Sequence, residues 1–145
     1  MKKIQNNKIY WITGQSGSGK TKLAYALQKE IGGIILDGDE MRESISLDAG
    51  FSKEDRESHN LRVSRLALVL ARQSIVIVSV IAPFESTRIK INKIIEPVWI
   101  YVSRDIPKDP NKPYEIPKDP HITVYSDLEE IDEKIKKIVN YIKSS

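Results

Sequence analysis

Gly14, Gly19, Lys20 and Thr21 stand at the spacing G-x-x-x-x-G-K-[ST] within "GQSGSGKTK". That pattern suits phosphate. The glycines let the backbone curl so that successive amide hydrogens point inward at phosphate oxygens. Lys20 is placed to reach β- and γ-phosphates, and the Thr21 hydroxyl to ligate magnesium. Gln15, Ser16, Gly17 and Ser18 complete a candidate nucleoside-triphosphate loop. The context agrees, because "KIYWIT" before it reads as a strand and "KTKLAYALQKEI" after it as a helix. A helix N-terminus adds positive potential at the same place. The competing reading is a chance glycine turn.

A second group follows in "LDGDEMR", where Asp37 and Asp39 leave a strand end with Gly38 between them. In an extended segment, residues i and i+2 point the same way. Both carboxylates then face the γ-phosphate, one holding magnesium or its water and the other accepting a proton from an attacking hydroxyl. Arg42, one helical turn on, is a candidate for a second anionic group. The plainer alternative is an N-capping Asp39 beside a turn-forming Asp37. "NKII" lacks the aspartate of a guanine signature, and His59 and His121 lack metal-ligand spacing and read as structural or surface histidines.

These residues need a frame. Strands are expected at 8–13, in "IILDGD", "SIVIVSVI", "VWIYV" and "HITVYS". Helices are expected in "KTKLAYALQKEI", "DEMRESI", "GFSKEDRESHNLRVSRLALVLARQ", "ESTRIKINKII" and the C-terminal "DLEEIDEKIKKIVNYIKSS". The long third helix opens on Ser52 with Asp55 three residues on, resembling a capping box, and carries Leu61, Leu66 and Leu70. The last presents Leu128, Ile131, Ile135, Ile138, Val139 and Ile142 on one face. Residues 103–120 hold five prolines, which donate no amide hydrogen, so they read as loop. Strands alternating with helices predict an α/β fold, a five-stranded parallel sheet with helices on both faces. The polar turns at 14–21, 37–42 and 82–88 then converge at the carboxyl ends of the strands.

The 145 residues suit one compact domain, 1–145. No apolar run approaches the ~20 residues that span a bilayer. "MKKIQNNKIY" has no following apolar segment or cleavage site and does not read as a signal peptide, and there is no cysteine. A cytoplasmic protein is expected, with no membrane partner. The +3 charge and pI of about 9.0 favour an anionic metabolite and make no case for nucleic acid.

"GQSGSGKTKLA", "LDGDEMR", "GFSKEDR", "RVSRLA", "VSVIAPFESTR" and "KPYEIPKDP", in that order from about residue 8 to 125, resemble adenylylsulfate kinase. The resemblance implies a P-loop kinase sandwich that moves the ATP γ-phosphate, with magnesium, to the 3′-hydroxyl of adenosine 5′-phosphosulfate in sulfate assimilation. It assigns the loop of residues 14–21 to ATP. It implies that Asp39 is the catalytic carboxylate, assisted by Lys20 and Asp37, with Thr21 and Asp37 at the metal. It places Arg42 and Arg56 on the substrate nucleotide, Phe51 against its adenine and the Ile81 backbone at its base. It also implies a homodimer.

Departures from the pattern fall on the acceptor side. The family's asparagine falls on His59, with Asn60 one residue out of register, so both are candidates for the substrate. A family serine, a possible phosphoserine, is Ala82, which leaves direct in-line transfer. A family arginine is Glu85. Most of the family's mobile lid is missing, and the proline-rich 103–120 stands in its place. Two alternatives therefore stand beside the kinase reading: a sibling acting on another activated nucleotide, such as a cytidine diphosphate derivative, and a nucleotide-binding module without turnover.

Overall fold

The computed structural model describes residues 9–145. Five strands, β1 (Ile9–Thr13), β2 (Ile34–Asp37), β3 (Val76–Ser79), β4 (Val98–Ser103) and β5 (Ile122–Tyr125), form one parallel sheet in the order β2-β3-β1-β4-β5. Between them run α1 (Lys20–Ile31), α2 (Gly38–Arg42), α3 (Lys53–Leu70) and α4 (Glu85–Ile94), and α5 (Ile131–Ser144) follows β5. The predicted architecture is the one observed.

Alternation along β1 divides the core. Ile9 and Trp11 face the layer built with Val63 and Ala67 of α3 and Ile91 of α4. Tyr10 and Ile12 face Leu23 and Leu27 of α1 and Ile135 and Ile138 of α5. β3 is buried along its whole length, Ser79 included, as its apolar residues 76–78 require of a strand covered on both faces. Trp11 and Trp99 meet at 5.3 Å between ring centroids, and each indole N–H finds an acceptor, Val80 O and Asn92 Oδ1.

Two helices differ from expectation. α5 begins at Ile131, so Leu128 lies in the preceding turn and is 82% exposed. In α3 the fully buried positions are His59, Asn60, Val63, Ser64 and Ala67, whereas Leu61, Leu66 and Leu70 pack only partly against the core. Near its N-terminus the helix turns His59 and Asn60 inward where it borders a cavity, and farther on Val63 and Ala67 enter the apolar core. Ser52 caps α3 as expected, its hydroxyl accepting from the Asp55 amide at 3.1 Å. Residues 104–120 contain no helix or strand.

Candidate active site

The loop after β1 wraps the N-terminus of α1. A β-carbon on Gly14 would sit 2.6 Å from Ser18 Oγ and 2.8 Å from the Val102 carbonyl, so only glycine fits there. Gly19, at φ 97°, takes the left-handed conformation that turns the chain into the helix. No side chain caps α1. Its first amide hydrogens are left for an external anion.

Lys20 is the first residue of α1 and only 9% exposed; its ammonium donates to the Gln15 carbonyl at 2.9 Å. Burial lowers its pKa to about 8, against the opposing pull of Asp39 and then Asp37. Both carboxylates therefore act on this one ammonium. Thr21 Oγ1 donates to Asp37 Oδ1 at 3.1 Å.

The two aspartates reach this place by a route other than the one expected. The chain is extended only to Asp37; α2 begins at Gly38, so Asp39 is helical and the alternation argument does not apply. The capping roles are also reversed: Asp37 is the N-cap of α2, accepting from the Glu40 amide at 3.4 Å. Asp37 and Asp39 nevertheless line one cavity with Gln15, Ser16, Lys20 and Thr21. Gly14, Gly17, Ser18 and Gly19 shape the loop without lining that cavity.

The cavity measures about 860 Å³ and continues past Arg42, Phe51, Arg56, His59, Asn60 and Ile81 to the proline-rich segment. Phe51 is 68% exposed, so it is not a core residue. The guanidinium carbons of Arg42 and Arg56 lie 4.4 and 5.5 Å from its ring centroid. Arg42 donates to the Gly50 carbonyl at 2.9 Å, and Arg56 to the carbonyls of Phe51 (2.8 Å) and Asn111 (3.3 Å). Each fork keeps N–H donors beyond these.

His59 and Asn60 are both buried. His59 Nδ1 lies 2.8 Å from Ser46 Oγ, and burial, then Arg42 and Arg62, lower its pKa to about 4. It is a neutral ring. Asn60 Nδ2 is buried without a partner, as is Ser79 Oγ, and both residues line the cavity. The Ile81 carbonyl is taken by Thr13 Oγ1. Glu85 is absent from the lining; its carboxylate receives Arg88 Nε and the Lys118 amide, so it secures the proline-rich segment.

Thr13, Ser79, Arg88, Arg104 and Tyr114 were not singled out from the sequence. Arg104 donates to the Gly17 carbonyl at 2.6 Å and pairs with Asp127 at 3.3 Å, buttressing the phosphate loop. Arg88 joins the Ala82 carbonyl to that of Glu115, and Tyr114 reaches Thr13, whose hydroxyl bonds the Ile81 carbonyl. An aromatic amid prolines, as in "KPYEIPKDP", is the one signal that could have pointed to Tyr114. Among the described residues, no three His, Cys, Asp or Glu side chains form a metal cluster, and no helix is long and apolar enough to cross a membrane.

The family model described as adenylylsulphate kinase matches residues 6–109. An adenylyl-sulfate kinase of Clostridium acetobutylicum is 34% identical, with 96% of this chain and 84% of that protein covered. Its alignment runs over 171 positions against 145 residues here, so that relative carries residues this chain lacks. An adenylyl-sulfate kinase of Bacillus velezensis is 31% identical, over 99% of this chain and 89% of that protein. The structure of the Mycobacterium tuberculosis APS kinase in complex with AMPPNP and APS superimposes with a TM-score of 0.83 at 26% identity, covering 94% of this chain and 98% of that one.

Proposed function

The chain belongs to the adenylylsulphate kinase family, and we propose that it transfers the γ-phosphoryl group of ATP to the 3′-hydroxyl of adenosine 5′-phosphosulfate, giving ADP and 3′-phosphoadenosine 5′-phosphosulfate. The observation that carries this reading is one continuous cavity. A phosphate loop and two carboxylates line one end, and an aromatic ring with two guanidiniums within 5.5 Å of its centroid lines the other.

The ATP phosphates lie on the amides of residues 14–21 and the open end of α1, with the Lys20 ammonium moved from the Gln15 carbonyl onto phosphate oxygen. Negative phosphate favours the charged lysine and raises its pKa from about 8. Asp39 orients the acceptor hydroxyl and takes its proton as the 3′-oxygen attacks the γ-phosphorus in line and ADP departs. Ala82 has no hydroxyl to carry the phosphoryl group, which favours this single displacement. Arg42 and Arg56 hold the phosphosulfate, Phe51 covers one face of the adenine, and Asn60 Nδ2 and the Ile81 region edge the base. His59 serves as a neutral support under this wall.

Thr21 Oγ1 and Asp37 Oδ1 are hard oxygen donors 3.1 Å apart at the loop mouth, a fit for magnesium or its waters. Magnesium bound with ATP neutralises phosphate charge. Cytoplasmic location and a homodimer complete the reading; sedimentation tests the latter. Residues 103–120 serve in place of a longer lid within the single domain 1–145.

Phosphorus NMR of the product formed from ATP, magnesium and adenosine 5′-phosphosulfate tests the reading. A 3′-phosphate resonance is expected. Turnover of a cytidine diphosphate derivative in preference, or of no nucleotide in a 5′-activated panel, would overturn it.

A further inference from the structure

Four consecutive carbonyls, Val80 to Pro83, each accept a hydrogen bond from a different residue. The donors are Trp11 Nε1 (2.9 Å), Thr13 Oγ1 (2.5 Å), Arg88 Nη1 (2.6 Å) and the Glu115 amide (2.8 Å). Ala82 within this turn has φ 46°, a left-handed conformation that a non-glycine residue keeps only when its surroundings hold it. The same four residues line the cavity.

Tyr114 joins this turn to the segment opposite. Thr13 has one hydroxyl hydrogen, and the Ile81 carbonyl receives it, so the Tyr114 hydroxyl is the donor in its 2.9 Å contact with Thr13 Oγ1. Burial raises the phenol's pKa, so the donated proton stays in place. The ring stacks on Tyr101 at 6.2 Å and lies 5.6 Å from the Arg88 guanidinium carbon. The next residue continues the seam: Glu115 O accepts from Arg88 Nη2, and its carboxylate accepts from the Glu85 amide at 2.8 Å. From this anchor the chain runs back along the cavity through Pro113, Lys112, Asn111 and Pro110, and Arg56 bonds Asn111 from the far side.

We propose that Tyr114 is a positioning residue for the acceptor: its hydroxyl on Thr13 locks the 106–114 strap to the 80–83 turn, so the acceptor wall has its binding shape before the acceptor arrives. The term "acceptor" rests on the function proposed above; the lock itself does not. It gives this chain a fixed wall where the resemblance implies a mobile lid.

Tyr114→Phe tests it, because the ring and its stacking remain and only the hydroxyl goes. Two measurements are made on the purified protein. Hydrogen exchange of the Glu85 and Glu115 amides should quicken, with the Ser18 amide of the phosphate loop unchanged. The KM for adenosine 5′-phosphosulfate should rise about 3- to 10-fold, the scale of one lost hydrogen bond, with the KM for ATP and kcat within about twofold. Unchanged exchange at Glu85 and Glu115 would overturn the lock. Faster exchange with both KM values moving together would mean general loosening and would overturn the positioning role. No turnover by the wild type would overturn the function proposed above, while the exchange result would still decide the lock.

Discussion

Thr21 Oγ1 lies 3.1 Å from Asp37 Oδ1, although sixteen residues separate them and β3 lies between β1 and β2. The pair joins the start of α1 to the end of β2 at the mouth of the phosphate loop. Asp37 also caps α2, so it has a structural and a functional role in the same carboxylate. Substitution can separate the two.

Asp37→Asn keeps a good N-cap and removes the charge. Stability should change by less than about 1 kcal/mol. The magnesium concentration for half-maximal turnover should rise by about tenfold or more. A lowered unfolding midpoint with unchanged magnesium dependence would leave Asp37 as a cap alone.

Asp39 caps nothing, and it is the larger of the two carboxylate influences on Lys20. Asp39→Asn should lower kcat by about 10²–10⁴-fold, the scale of a general base. ATP binding, followed by calorimetry, should be little altered. Equal losses of affinity and rate would assign the metal to Asp39 instead.

Phe51 is exposed and held by guanidiniums rather than by core packing. Phe51→Ala should therefore leave the thermal midpoint almost unchanged. It should raise the acceptor KM by the equivalent of about 1–3 kcal/mol, the range for stacking one base on one ring. A change confined to the ATP term would place the acceptor elsewhere.

His59 ties protein stability to acid. Its folded pKa, about 4, lies below the ordinary 6.5. Below pH 6.5 the unfolded chain takes up a proton that the folded chain refuses, so stability falls as the pH drops toward 4. The slope from this one group approaches about 1.4 kcal/mol per pH unit. His59→Gln keeps a neutral polar side chain near Ser46 and should flatten urea-unfolding stability between pH 5 and 6.5. Parallel profiles for the two proteins would show that His59 does not titrate this way.

Much of this was determined by neighbours in the chain. Glycine and lysine spacing between an apolar run and a helical repeat specified β1, the phosphate loop and α1, because backbone freedom and periodicity are local properties. The central strands were equally legible, since β-branched apolar runs such as 76–78 suit a strand buried on both faces. The prolines of 103–120 excluded regular structure beyond Ser103, the end of β4, for the same local reason. What the chain could not show by itself were contacts set by strand order. The β2-β3-β1 arrangement brings Asp37 to Thr21. The inward placing of His59 and Asn60 on α3, where the leucines suggested an apolar face, goes with the cavity that they line. The start of α2 one residue after Asp37 decided which aspartate caps and which is free. Tyr114 and Thr13 are 101 residues apart, and neither type at either place signals a hydroxyl pair. Only assembly of the sheet, with β4 beside β1 and the proline segment folded back, puts one within reach of the other.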